Sequence, residues 1–173
     1  QNYNNFQLQS PQNTYGDLKG FFPFEPTNDQ DQLLRKLAVY LSIRRIQPEV
    51  MIVKGYAGTG KTTLLKSVVA VHKKQTRKVK LMAPTGRAAK VLSGATGFPA
   101  NTIHRSLYRP KVSSGGAATF VLANNPNKNT TFIVDEAGLI STQRDRSLGD
   151  HSLLEDLLQY VFEDASNHLI LVG

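Results

Sequence analysis

One eight-residue stretch constrains this chain more than any other: Gly55-Tyr56-Ala57-Gly58-Thr59-Gly60-Lys61-Thr62. It fits the pattern G-x-x-x-x-G-K-[ST], a backbone cradle for phosphates. Wrapping a triphosphate in backbone N–H groups requires a tight turn with no Cβ atoms in the way, and Gly55, Gly58 and Gly60 provide it. The stretch follows the apolar run Val50-Met51-Ile52-Val53, which reads as a buried strand, and opens a helix expected from about Lys61 to Gln75. The helix N-terminus then faces the phosphates with a favourable partial charge. Lys61 is placed to reach the β- and γ-phosphates, and the Thr62 hydroxyl to ligate Mg²⁺. Ala57, Thr59 and Thr63 complete the set expected to touch the nucleotide.

Other apolar runs extend this strand–turn–helix unit. Asn28 or Thr27 can cap a helix in which Leu33, Leu34, Leu37, Ala38 and Leu41 repeat at helical spacing, and Pro48 stops the pattern. Val79 to Ala83, Thr131 to Val134 and His168 to Val172 read as strands. Gly86 to Leu92 and Ser152 to Phe162 read as helices. Alternation of this kind implies parallel βαβ units in a three-layer α/β/α domain. Residues 109–130, with Pro110, Gly115, Gly116 and Pro126 around the β-like run Thr119 to Leu122, suggest a small hairpin inserted between core elements. Residues 141–151 are polar and charged, a mobile loop by composition. Residues 1–23 are assigned as a flexible Asn/Gln-rich tail, although the cluster Phe21-Phe22-Pro23-Phe24 is costly to expose and is expected to dock.

Phe132-Ile133-Val134-Asp135-Glu136 is an apolar strand that delivers two carboxylates at its C-terminal end, where a parallel sheet keeps its site. With a phosphate cradle nearby, Asp135 is expected to hold Mg²⁺ through its water shell and Glu136 to orient or deprotonate an attacking water. The adjacent Glu favours hydrolysis of ATP over transfer to a small acceptor.

Charge narrows the partners. The balance of 21 Lys+Arg against 13 Asp+Glu, a net +8, should attract polyanions, nucleic acid first. The run Lys73-Lys74-Gln75-Thr76-Arg77-Lys78-Val79-Lys80 reads as a solvated turn after a helix C-terminus, where cations suit the dipole, rather than as a nucleic-acid track. No apolar run approaches the roughly 20 residues that span a bilayer, the polar start of the sequence does not read as a signal peptide, and there are no cysteines. Disulfides, zinc–thiolate sites and thiol catalysis are excluded, and a cytoplasmic location is expected.

Further segments resemble those of superfamily 1B DNA helicases, the RecD-like branch that includes Dda-type motors. Ala83-Pro84-Thr85-Gly86-Arg87-Ala88-Ala89 looks like motif Ia, Thr102-Ile103-His104-Arg105-Ser106-Leu107 like motif Ib, Val134-Asp135-Glu136-Ala137 like motif II, and Leu171-Val172-Gly173 like the opening of motif III. Gln30 matches the family's adenine-reading Gln. The resemblance spans about residues 24–173. It implies a RecA-like domain 1A with a 1B-like insertion at about 109–130, cut at motif III. It also implies a parent protein in which ATP and Mg²⁺ drive 5′–3′ movement on single-stranded DNA. Pro84, Thr85, Gly86 and Arg87 would hold a DNA phosphate, and Thr102 and His104 would meet a nucleotide. The insertion is short and polar and shows no obvious aromatic wedge. A second RecA-like domain of the same parent would bring an arginine finger, so this segment alone is expected to hydrolyse slowly. Such motors serve DNA repair, recombination, replication restart and plasmid transfer. Two alternatives stay open: another P-loop ATPase or nucleotide kinase, and a nucleotide- or DNA-binding module without turnover.

Overall fold

The apolar runs assemble into one parallel sheet with helices on both faces. The computed structural model describes residues 9–44, 46–54 and 59–173. Along the chain, α1 (Pro11–Gly20) and α2 (Asn28–Ser42) precede β1 (Val50–Val53), α3 (Thr59–Lys74), β2 (Lys78–Ala83) and α4 (Gly86–Thr96). Then come β3 (Ala100–Thr102), the short α5 (Ile103–Leu107), the hairpin β4 (Tyr108–Val112) and β5 (Ala118–Leu122), β6 (Thr130–Val134), α6 (Leu153–Val161) and β7 (His168–Val172). The sheet order is β1-β7-β6-β2-β3, every pair parallel, with β4-β5 forming a separate antiparallel ribbon. This is the expected α/β class with a mainly parallel sheet and an inserted hairpin.

Alternation along the strands feeds two cores. Ile133 of β6 and Leu81 of β2 join Leu37 (α2), Val68 (α3) and Leu92 (α4) on one face. Phe132 and Val134 of β6 and Met82 of β2 join Ile103 and Leu107 (α5) with Leu157 and Val161 (α6) on the other. All of β6 is buried, as a central parallel strand with both faces covered should be. Helix starts follow side-chain caps: Thr27 and Ser152 close capping boxes with Gln30 and Glu155, and Thr85 and Thr102 cap α4 and α5.

Two expectations change. The tail assignment fails over Pro11–Gly20, which is a helix with Leu18 and Thr14 fully buried. Ser10 caps it, and polar ties fasten it: Tyr15 donates to Asp31, and Lys74 Nζ lies 2.6 Å from Asp17. Of the aromatic cluster only Phe22 docks; Phe21 and Phe24 stay exposed. Residues 141–151 are also structured rather than a mobile loop. Asp145 caps a turn over Arg146–Leu148 and bridges His151, whose Nδ1 sits 3.2 Å from the buried Asp156 of α6.

A buried histidine ties α3 to the sheet. His72 Nδ1 lies 2.7 Å from the Val68 carbonyl, which can only accept, so Nδ1 carries the proton; Nε2 accepts from the Thr131 hydroxyl at 2.7 Å. Burial, with the Arg77 charge nearby, lowers its pKa from 6.5 to about 3. The folded chain therefore holds His72 neutral where the unfolded chain would protonate it. Its contribution is present above pH 6.5 and lost as pH falls from there toward 3, at roughly 1.4 kcal/mol per pH unit. Urea midpoints should fall between pH 7.5 and 5, and His72→Gln should flatten that fall. Parallel curves for the two proteins would contradict this assignment.

Candidate nucleotide site and nucleic-acid rim

The C-terminal ends of the parallel strands form one rim. At one side β1 ends at Val53, and α3 starts at Thr59; Gly55, Ala57 and Gly58 lie outside the described residues. Gly60, Lys61, Thr62 and Thr63 occupy the first turn and a half of α3, so the helix N-terminus opens onto the rim. β7 separates β1 from β6, and Gly173 N–H donates to the Val53 carbonyl at 3.0 Å, joining the ends of β7 and β1.

From β6 come the two acids. Asp135 is buried, and Lys61 Nζ lies 2.6 Å from its Oδ1 and 3.3 Å from Glu136 Oε1. The same Oδ1 accepts the Glu136 N–H at 2.8 Å. Partial burial works against the Lys61 charge, but bonding and attraction to Asp135 and Glu136 outweigh it and raise its pKa. Glu136 adopts φ 53°, ψ 38°, a left-handed conformation that is costly for a residue with a Cβ. The turn places its carboxylate, half exposed, beside the Lys61 ammonium. Gly173 is packed against this turn: a Cβ there would come within 3.2 Å of the Gly138 nitrogen.

The donor set suits a hard cation. Asp135 offers a carboxylate and Thr62 a hydroxyl, both oxygen ligands of the kind Mg²⁺ takes alongside phosphate and water. Among the described residues no group of three or more His, Asp or Glu side chains could cage a metal alone.

Gln30 borders a cavity of about 470 Å³ between the start of α2 and the outer edge of β1, reaching Val53 and Lys54 just before the glycine-rich turn. Its Oε1 accepts the Thr27 N–H at 2.9 Å, which fixes the carboxamide at the cavity wall.

The other half of the rim belongs to β2 and β3, whose last residues Ala83 and Thr102 stand side by side in register. Pro84, Thr85, Gly86 and Arg87 follow β2, with the Thr85 hydroxyl accepting from Ala88 N–H and Gly86 and Arg87 exposed. Thr102 accepts from Arg105 N–H, and the exposed His104 ring lies 5.6 Å from that of Tyr108. Sequence reasoning missed what stands beyond them. Phe120, 57% exposed on β5, shares a cavity of about 640 Å³ with Thr102, His104 and Tyr108. The insertion thus does carry an exposed aromatic; the periodicity of β5 alone did not show that it faces the rim.

Known proteins resemble parts of this chain. Over 63 residues it is 41% identical to the ATP-dependent RecD2 DNA helicase of Deinococcus radiodurans, an alignment covering 36% of the chain and 9% of that protein. Over 142 residues it is 28% identical to an uncharacterised protein of Methanocaldococcus jannaschii, covering 76% of the chain and 12% of that protein. The chain therefore spans only a small fraction of the length of either relative. A P-loop sequence opening α3, acids at the end of β6 and a mainly parallel five-stranded sheet agree with a broader match over residues 28–173, by which the chain belongs to the AAA domain family.

Proposed function

We propose that this chain is the ATP-binding part of a DNA helicase or translocase in which ATP hydrolysis drives 5′–3′ movement on single-stranded DNA. The observation that carries the reading is the shared rim: Lys61, Asp135 and Glu136 meet at the ends of β1 and β6, and two helix caps stand beside them, Thr85 just after β2 and Thr102 at the end of β3. A nucleotide and a strand would thus touch adjacent strands of one rigid sheet, as a motor coupling them requires.

In this reading Lys61 exchanges Asp135 for the β- and γ-phosphate oxygens, and Asp135 and Thr62 become the oxygen donors that hold Mg²⁺. The metal, when bound, neutralises charge on the transferring phosphoryl group. Glu136 positions the attacking water and takes its proton. Gly55, Ala57, Gly58, Thr59 and Gly60 supply the cradle with Thr63 beyond it, and Gln30 reads adenine from the cavity beside β1. Pro84, Thr85, Gly86 and Arg87 hold a phosphate, while His104, beside Thr102, offers ring surface for a base. A second RecA-like domain in the parent protein completes the channel and brings an arginine finger.

Fluorescence anisotropy with a labelled oligodeoxythymidine of about six nucleotides tests the strand half of the rim. His104→Ala is expected to weaken binding about tenfold, the scale of one lost base stack, and Arg87→Ala severalfold, with ATP affinity unchanged in both. Unaltered DNA affinity in both variants would remove the rim from the DNA path.

A further inference from the structure

The rim continues into a basic trough that the proposed function leaves unused. β3 pairs only with Leu81–Ala83 of β2, so the edge of β2 over Lys78–Lys80 is bare on that side. Two cavities, of about 310 and 640 Å³, meet at this bare edge and share Lys80, Phe98 and Asn127 in their walls. The first extends to Lys73 and Lys78. The second extends to Arg105 and Arg109, which also line the cavity of Thr102 and His104 at the rim. No Asp or Glu lines any of the three cavities. Among the described residues, Lys73, Lys78, Lys80, Arg105 and Arg109 form no ion pair, whereas Lys61, Lys74 and Lys128 each do.

Five cations gathered on one groove without a carboxylate repel one another, and a polyanion relieves that repulsion. Lysines on a bare strand edge also deter edge-to-edge pairing, but this leaves Arg105 of α5 and Arg109 of β4 unexplained, since neither is on the edge. The bare stretch of β2 covers three residues, too short to take an added peptide strand. Lys78 and Lys80 stand on the same side of β2, about 6–7 Å apart by the rise of a strand, the scale on which phosphates follow one another along an extended nucleic-acid strand. Asn127 and Phe98 add a polar group and apolar surface where a sugar or base would lie.

We propose that this trough is a second nucleic-acid contact: the phosphate backbone of the strand seated at Thr102 and His104 runs on past Arg105 and Arg109 to Lys80, Lys78 and Lys73. This gives residues 73–80 a role beyond the solvated turn expected from the sequence, and the inference rests on the rim holding single-stranded DNA. Contact along the trough lengthens the site and makes binding of long strands steeply salt-dependent.

The test compares the full chain with the triple variant Lys73→Gln, Lys78→Gln, Lys80→Gln, all three exposed and outside the rim. Anisotropy is read with oligodeoxythymidines of about six and about twenty nucleotides across a salt series. The short oligomer should bind both proteins equally. The long one should bind the variant about tenfold more weakly, with a salt slope shallower by about 2, the loss expected for three phosphate contacts on a single strand. An unchanged slope and affinity for the long oligomer would overturn the trough and leave the rim standing. If the wild type ignores the short oligomer but holds the long one through these lysines, the rim reading falls and the continuous path falls with it, leaving the lysines as a separate nucleic-acid contact. Binding of neither oligomer overturns both. Lysine-dependent binding of polyglutamate, with the long oligomer unaffected, would overturn the proposal in favour of an acidic protein.

Discussion

Lys61→Ala is expected to lower ATP hydrolysis about 100- to 1000-fold, the usual loss when one preorganised electrostatic contact to a transition state is removed. Lys61 projects from the first turn of α3 to within 2.6 Å of Asp135, so its ammonium lies at the junction of the helix N-terminus and the β6 acids. A triphosphate held by that helix end would meet this charge. The variant also leaves Asp135, a buried carboxylate, without its ammonium partner, so a modest loss of stability should accompany the loss of activity. Phosphate release at saturating ATP gives the first, and a thermal melt by circular dichroism shows that the fold survives. Lys61→Arg should not restore the rate, because a planar guanidinium cannot act as a compact point charge in the same space. Activity within about threefold of wild type would remove Lys61 from the chemistry.

Glu136→Gln should separate binding from turnover. It keeps the size of the side chain and the backbone cost of a left-handed residue, so folding should hardly change. It removes a base that could take a proton from water, an effect worth about 10²- to 10⁴-fold. ATP affinity should stay within about threefold, as Asp135 and Lys61 remain. Asp135→Asn should behave differently, losing Mg²⁺-dependent affinity as well as rate. Glu136→Gly carries a further expectation: relief of the positive φ should raise stability by about 1 kcal/mol while turnover falls. Chemical denaturation and single-turnover kinetics on the same variants read both. Equal rates for Glu136→Gln and wild type would exclude Glu136 as the base.

Much of this site was legible because its parts are local. The glycine-rich stretch between a strand and a helix, and the acids after Phe132-Ile133-Val134, name their own secondary structure, and the parallel sheet then brings them together. Other features depend on contacts distant in sequence. α1 has few apolar residues; Leu18 finds a core and Asp17 finds Lys74 only after α3 is in place. β3 spans three residues, too few for a periodicity to show, yet its shortness leaves Lys78 and Lys80 on a bare edge. The order in 141–151 comes from His151 reaching Asp156 on α6, and the buried Tyr108 hydroxyl donates to the same carboxylate at 2.6 Å. The left-handed backbone at Glu136 has no sequence signature, since nothing but the turn itself requires it.

Steady-state ATPase activity of the parent protein, with and without single-stranded DNA and with Lys61→Ala as the control, tests the proposed motor most directly. Hydrolysis should rise severalfold or more with DNA and disappear in the variant. Hydrolysis that depends on Lys61 but is indifferent to DNA would contradict the motor and leave an ATPase acting on something else.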